Sequence, residues 1–300
     1  ATMVLSGNGI SVGDAVVGHS GEGSLTLESG TATFSSLDVG YSSGGIGLYR
    51  QTGGATEVSS FAYLGYGSGS QGAILLEGGT MHFNNYLFVG KSGSGSVEQI
   101  GGTATFNKDL MLDGPYTLSG GTLDISGRIR DYYQSELIVN GGELLVGQDV
   151  EVDELTLGSG GHLTGNSGQT WEINGDFRNA SLMNTLWDTG ESILFINGGG
   201  AQILELPGQD LGALAGGYTN NFFWDTLSLG SSVVLTLADG NGSAGAALYV
   251  SAFEMSDADE FGTAALSSIL SDFNVYYDTG RSENNRLAGG TYEFSGSGSL

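Results

Sequence analysis

The sequence has no cysteine, two prolines and only eight lysine and arginine residues in a length of 300. Without cysteine it has no disulfide framework, no thiolate metal site and no thiol nucleophile. Glycine occurs 55 times, yet the scarcity of proline and the lack of a Gly-X-Y period exclude collagen. No run of eighteen apolar residues is present, so the sequence predicts no membrane-spanning helix.

The charge is one-sided, because 33 acidic residues face eight basic ones and give a net charge of −25. Such a chain, without a basic stripe, would repel a polyphosphate backbone, which argues against nucleic-acid binding. Charged partners should be cations. Disorder is not expected, because 39% of the residues are hydrophobic and 13 Phe and 13 Tyr supply material for a core.

Glycine-marked turns recur every 19–25 residues along the first half of the chain. The glycines in register are Gly30, Gly54, Gly79, Gly102, Gly121 and Gly142. Four residues of alternating polarity follow each of them, as in residues 31–34 and 103–106, and a period of two predicts a strand. Two further alternating segments belong to each repeat, so the pattern gives three short strands per repeat.

The sequence therefore predicts an all-β fold, a parallel β-solenoid with three short strands per coil of about 19–25 residues. We expect it over residues 1–168, followed by a β-rich C-terminal region over residues 169–300. Equivalent residues of successive coils should stack into an interior ladder of Phe34, Val58, Phe83, Phe106, Ile125 and Val146. An antiparallel sandwich or barrel is the alternative, which would need two-residue hairpin turns and a varied strand order.

Residues 187–300 follow a different pattern, in which longer apolar strands appear in a specific order. The segments that define this order are Asn221-Phe222-Phe223, Thr226-Leu227-Ser228-Leu229-Gly230, residues 233–239, Ala247-Leu248-Tyr249-Val250 and Tyr276-Tyr277. This order resembles the ectodomain of PEP-CTERM-anchored bacterial surface proteins, in which autotransporter-like glycine-rich repeats come first. The resemblance covers nearly the whole chain, in general style over the repeats and in ordered motifs over the C-terminal third.

The resemblance implies secretion across the inner membrane, sorting at a C-terminal Pro-Glu-Pro signal, and a role outside a Gram-negative-type cell in a biofilm or floc matrix. The sequence departs from the family at its end, where Leu300 follows Gly296-Ser297-Gly298-Ser299 without such a signal. We expect that sorting removed the signal or that it lies outside this sequence. Ala1 likewise begins directly on apolar alternation, as after removal of a secretory signal or after trimming.

Calcium is the one cofactor that the sequence suggests. Asp149, Glu151 and Asp153 alternate along one segment, so their carboxylates project from one face and could share a hard cation. Asp239 and Asn241 have the spacing with which a calcium loop begins, but Val250 stands where a bidentate glutamate is needed. A solvated acidic face and an ordinary turn are the respective alternatives, and the cluster Asp257, Asp259 and Glu260 has the same two interpretations.

Enzymatic activity is not predicted, although many β-solenoids act on polysaccharides. Lyase chemistry needs a cationic group over the substrate acid, and the eight basic residues are scattered. The three histidines, His19, His82 and His162, fall in different repeats without metal-ligand spacing, so no zinc site is expected. Tyr41 and Tyr66 occupy equivalent corners, with His19 and Lys91 in the same column, and could form a sugar-binding or contact strip as well as ordinary surface.

No capping element is evident at the start of the sequence, and each end has the pattern of a missing or surplus strand. Met3, Val4, Leu5, Ile10 and Val12 lie in the first coil, and Thr291, Tyr292 and Phe294 repeat the internal strand pattern. We therefore expect chains to associate head to tail by β-strand addition into an extracellular filament. The alternatives are a monomeric adhesin that binds extracellular polysaccharide and, third, a polysaccharide lyase or hydrolase.

Overall fold

The structure is a computed structural model that describes residues 1–242, 245–255, 265–287 and 289–300. Contacts divide the chain into two compact units, Ala1–Gln148 (unit 1) and Asp149–Leu300 (unit 2). Strands within each unit pair in parallel, coil upon coil, so the predicted parallel β-solenoid is confirmed. The division at residue 168 follows sequence pattern, not contacts, and stays a prediction.

Unit 1 contains seventeen strands. They are β1 (Thr2–Leu5), β2 (Ile10–Val17), β3 (Glu22–Leu27), β4 (Thr31–Val39), β5 (Ile46–Gln51), β6 (Ala55–Val58), β7 (Ala62–Leu64), β8 (Gln71–Leu76), β9 (Thr80–Phe83), β10 (Leu87–Val89), β11 (Ser94–Gln99), β12 (Thr103–Phe106), β13 (Leu110–Leu112), β14 (Pro115–Leu118), β15 (Thr122–Ile125), β16 (Ile129–Asp131) and β17 (Glu136–Val146).

Each regular coil of unit 1 has three strands, as in β5–β6–β7 and β8–β9–β10. The strands stack in three columns, because β8 pairs with β5 and β11, β9 with β6 and β12, and β10 with β7 and β13. In the second column, equivalent residues of successive coils lie in register, each paired with the next. From the N-terminal coil onwards they are Phe34, Val58, Phe83, Phe106, Ile125 and Val146. All six side chains are buried, which confirms the predicted ladder.

The glycine corners explain why the repeats keep one register. Gly102 has φ +73°, and a Cβ there would lie 2.6 Å from the carbonyl oxygen of Gly79 in the preceding coil. That oxygen accepts a 3.0 Å hydrogen bond from the amide of Thr103. A residue at this corner must therefore tolerate a left-handed backbone and close approach of the next coil, and only glycine does both.

The described residues of unit 2 form eleven strands. They are β18 (Val150–Val152), β19 (Glu154–Thr164), β20 (Thr170–Ile173), β21 (Phe177–Asn179), β22 (Ile193–Ile196), β23 (Gly200–Leu206), β24 (Trp224–Leu229), β25 (Val233–Asp239), β26 (Ala247–Met255), β27 (Ile269–Leu270) and β28 (Asn274–Tyr277). Short 3-10 helices occur at Ala215–Tyr218, Ala265–Ser268 and Ser282–Leu287.

Where the structure describes them, the coils of unit 2 carry two strands, not three. One column runs through β18, β20, β22, β24, β26 and β28, and the other through β19, β21, β23, β25 and β27. Irregular segments such as residues 180–192 close the coils where unit 1 has a third strand. Larger side chains fill this interior, where the rings of Trp171 and Phe177 meet that of Trp224 edge to face at 6.1 and 6.3 Å. No helix in the described part of the chain is long and apolar enough to cross a membrane.

Candidate functional sites

The N-terminal coil of unit 1 has a free strand edge. β1 pairs with β3 and β2 pairs with β4, and no strand among the described residues covers the outer edges of β1 and β2. Met3 and Val4 are 49% and 53% exposed, and Val12 is 39% exposed. Unpaired strand edges of this length bind further strands unless charge or a cap blocks them.

The hydrophobic core opens at the same coil. A cavity of about 300 Å³ lies there, lined among others by Leu5, Ile10, Val12 and Phe34. The charge around it is low, because Asp14 is the sole ionisable side chain in residues 1–18 of a chain with net charge −25. The predicted interface residues Met3, Leu5, Ile10 and Val12 thus lie together around one apolar opening, whereas Val4 alternates with them along β1, is exposed and lies in register with Thr26.

The C-terminal segment is a hairpin that packs on the last coil of its own unit. Tyr292 and Leu300 exchange backbone hydrogen bonds of 3.1 and 2.8 Å, and Phe294 donates to Gly298 at 3.0 Å. The amide of Ser295 donates to the carbonyl of Ile269 at 3.0 Å, which attaches the hairpin to β27. Phe294 and Leu300 are each 5% exposed.

This arrangement differs from the unpaired terminal strand that the sequence led us to expect at Thr291, Tyr292 and Phe294. The physical reason is the turn at residues 295–298, which returns the chain so that Leu300 covers the other side of the segment. The alternating pattern alone predicts a strand without a partner, whereas in the structure the end of the same chain is its partner. Donation to another chain therefore requires the hairpin to open.

Tyr41 and Tyr66 lie together as predicted from their equivalent corners, with ring centroids 5.0 Å apart and planes within 8°. His19 extends this column at 5.4 Å from Tyr41. Lys91 turns to a neighbouring column instead, with its Nζ 4.6 Å above the ring of Phe88 and 3.3 Å from the hydroxyl of Tyr132. The column therefore consists of the rings of His19, Tyr41 and Tyr66, and Lys91 does not belong to it.

Two further aromatic columns lie beside this one, and sequence reasoning missed them. Tyr63 stacks on Phe88 at 5.0 Å, and Phe61 stacks on Tyr86 at 5.9 Å. Tyr63 also meets Tyr66 edge to face at 5.0 Å, which connects the columns. We call the six rings of Tyr41, Tyr66, Tyr63, Phe88, Phe61 and Tyr86 the aromatic face. The sequence pattern could have indicated four of these rings, because Phe61, Tyr63, Tyr86 and Phe88 are next to the inward-facing residues of β7 and β10.

Asp38 lies at the border of the aromatic face, in register with Tyr63. Its Oδ1 is buried and has no hydrogen-bond partner among the residues that the structure describes. Burial, and to a lesser degree the charge of Asp14, raises the pKa of Asp38 to about 6. The sequence pattern did not single out this buried carboxyl group.

The predicted calcium ligands occupy two places in unit 2. Asp149 accepts a 3.2 Å hydrogen bond from the amide of Thr170, and Glu151 lies in register with Glu172. Asp153, through its backbone carbonyl, accepts from the amide of Gly175 at 2.7 Å. In the parts of the chain that are described, no three acidic or histidine side chains are placed to hold a metal ion. Calcium at Asp149, Glu151 and Asp153 stays a prediction.

Asp239 and Asn241 form a turn. Oδ1 of Asp239 accepts from the amides of Asn241 and Gly242 at 3.1 and 2.8 Å, and the side-chain amide of Asn241 donates to the carbonyl of Pro207 at 2.8 Å. The same residues thus satisfy backbone groups of the loop after β25. Asp257, Asp259 and Glu260 lie outside the described residues.

The histidines have separate surroundings. His82 joins a polar row in which its Nε2 is 2.9 Å from Asn84 and 3.1 Å from the amide nitrogen of Asn107. His19 contacts Tyr41, and Nδ1 of His162 is buried without a hydrogen-bond partner among described residues.

A cleft of about 290 Å³ in unit 2 is lined by residues 187–191 and 218–223. Glu191, Asn220 and Phe222 there have positive φ values of 62°, 49° and 56°, which are strained conformations for side chains of this size. Trp187 donates to the carbonyl of Phe223 at 3.1 Å, which fixes its ring in the wall. No feature of the sequence pattern indicated this cleft.

Comparison with protein-family models, curated proteins and solved structures gave no match to this chain.

Proposed function

We propose that this chain is a secreted structural protein of a bacterial surface or matrix that associates end to end into a filament, without catalytic activity. The free edge of β1 and β2 over an apolar opening carries the proposal. Secretion and the bacterial surface come from the family resemblance in the C-terminal third. Self-association comes from the physics of the edge.

The acceptor of the proposed contact is the N-terminal coil. An added strand would pair with β1 or β2 and place apolar side chains over Leu5, Ile10 and Phe34, which line the opening. Burial of apolar area stabilises such a contact by about 25 cal/mol per Å². Little like-charge repulsion opposes it, because residues 1–18 carry one carboxylate.

The proposed donor is the C-terminal segment of a second copy. Tyr292 and Phe294 alternate with the exposed Thr291 and Glu293, so one face of this strand is apolar. In the single chain this face packs on the last coil, and exchange between copies would replace one set of backbone hydrogen bonds by another. A contact between two different surfaces of the same protein does not close and gives filaments.

The test compares Met3→Lys with Val234→Lys. Met3 lines the apolar opening, so an added strand would bury a lysine at this position without a partner, whereas Val234 is a surface-facing residue, 39% exposed, of the internal strand β25. Sedimentation velocity should show large species for the native protein and for Val234→Lys, and monomers for Met3→Lys. Native monomers at all concentrations, or polymers of Met3→Lys, would refute the proposal.

A further inference from the structure

The aromatic face is a large exposed surface that end-to-end association does not use. Phe61 and Tyr66 are 38% and 39% exposed, and the other four rings are half-buried. Scattered surface rings need no explanation, but a contiguous group of six marks an interaction site. Their columns follow β4, β7 and β10, so three successive coils of unit 1 supply them.

The rings are held rigidly and are incompletely covered. Neighbours in successive coils are 5.0 to 5.9 Å apart with planes 8° to 15° apart, which is offset stacking. Offset rings overlap only in part, so some of each ring surface stays in contact with solvent. Because stacking already restricts the side chains, a ligand that binds them costs little further side-chain entropy.

The chemistry around the rings is mixed. Sugar rings present C–H groups of slight positive charge on their faces, which pack on the negative faces of aromatic rings, and hydroxyl groups at the rim. Four of the six rings of the aromatic face belong to tyrosines, Tyr41, Tyr63, Tyr66 and Tyr86. Their hydroxyl groups can donate to and accept from the hydroxyl groups of a sugar, which a purely apolar partner could not do.

Charge decides between neutral and acidic polysaccharides. The chain carries a net charge of −25, which repels uronate polymers and also a second copy approaching from the side. The ammonium group of Lys91, which contacts this face, is engaged by the rings of Phe88 and Tyr132 at 4.6 and 4.8 Å. An uncharged sugar chain is not repelled by the negative charge of the protein.

From these observations we propose that the aromatic face binds a neutral polysaccharide, with the rings packing on sugar faces and the tyrosine hydroxyl groups forming hydrogen bonds with the hydroxyl groups of the sugars. The site belongs to unit 1 and does not depend on filament formation. It would attach the protein to an uncharged glycan of its surroundings.

The test is affinity electrophoresis of the full chain in native gels that contain laminarin, xyloglucan or galactomannan. We expect retention by at least one of these neutral polymers. Tyr63→Ala/Phe88→Ala should weaken retention roughly tenfold or more, since two stacking surfaces are lost. Leu214→Ala, which removes a 64% exposed apolar side chain in unit 2, is the control and should bind as the native protein does.

Folding and alternative partners are checked in the same experiment. Tyr41→Ala/Tyr66→Ala serves as a second variant at corners outside the strands, and circular dichroism shows whether each variant keeps its fold. No retention of the native protein by any of the three polymers overturns the proposal. So does equal retention of either folded double variant, stronger binding to alginate or polygalacturonate, or lateral association of copies that the double variants abolish.

Discussion

The hydroxyl group of Tyr116 donates a 2.7 Å hydrogen bond to Oε1 of Gln99 in the preceding coil, and both side chains are almost fully buried. The amide of Gln99 donates to the carbonyls of Gly102 and Thr122 at 3.2 and 2.9 Å. Burial raises the pKa of Tyr116, which keeps the hydroxyl protonated as a donor. The side-chain amide of Gln51 makes the same kind of contact, donating to the backbone carbonyls of Gly54 and Thr80. Buried glutamines thus link successive coils of the solenoid.

Gln99→Leu should destabilise the chain by about 2–4 kcal/mol, because it leaves the Tyr116 hydroxyl and two carbonyls without a partner. Tyr116→Phe should cost about 1–2 kcal/mol, since only one acceptor of Gln99 is left unpaired. The double variant should cost less than the sum. Chemical unfolding in a double-mutant cycle measures this coupling, and strictly additive effects would contradict the contact.

Substitutions at two glycines separate backbone strain from steric collision. Gly44 and Gly102 have nearly equal φ values of +74° and +73°, but no atom lies within 4 Å of a Cβ added at Gly44. Gly44→Ala should cost about 1 kcal/mol from the left-handed backbone alone. Gly102→Ala should cost roughly 3 kcal/mol or more, because it also displaces the coil-to-coil hydrogen bond at Gly79. Equal costs in thermal unfolding would contradict the corner geometry.

Asp38 should make stability fall as pH rises. Its pKa is about 6 in the folded chain against an ordinary value of 3.8, so between these values the folded state binds more protons than the unfolded state. The stabilising contribution of protonation is therefore fully present below pH 3.8 and is lost as the pH rises from there through about 6. Asp38→Asn should raise the melting temperature at pH 7.5 by roughly 2 °C and have less effect at pH 4.

The matched control for this pH profile is Glu98→Gln, which neutralises an exposed carboxylate of β11. Subtracting its profile removes the general effect of lowering the negative charge. The same pH dependence in both variants would mean that Asp38 has no special environment.

Sequence reasoning predicted unit 1 better than unit 2, and the difference has a physical cause. The positive-φ glycines, such as Gly54 and Gly79, recur at a fixed interval and set the register, so the ladder from Phe34 to Val146 could be predicted residue by residue. In unit 2 irregular segments close the coils, and their lengths follow no period. Two strands per coil could not be read from the pattern.

The functional sites were predictable in part. The stacking of Tyr41 and Tyr66 could be predicted because they occupy equivalent corners of successive coils. The burial of Asp38 could not, because it depends on side chains from neighbouring coils. At the C-terminus, residues 291–294 alternate in the same way whether the strand is free or part of a hairpin. The distinction depends on the turn that brings Leu300 back to Tyr292.

The proposed strand exchange has a direct test, because the hairpin can be locked in a chain that has no cysteine of its own. Glu293 and Ser299 form an antiparallel pair flanked by the hydrogen bonds of Tyr292 with Leu300 and of Phe294 with Gly298. Such non-hydrogen-bonded pairs have Cα atoms about 4.5 Å apart, a distance that a disulfide spans. Glu293→Cys/Ser299→Cys should therefore close the hairpin on oxidation.

The decisive measurement is negative-stain electron microscopy of this double variant in oxidised and reduced form, with mass spectrometry showing that the disulfide is intramolecular. The account predicts filaments from the native protein and from the reduced variant, and single particles from the oxidised variant. Filaments of equal number and length in the oxidised variant, or none from the native protein, would contradict it.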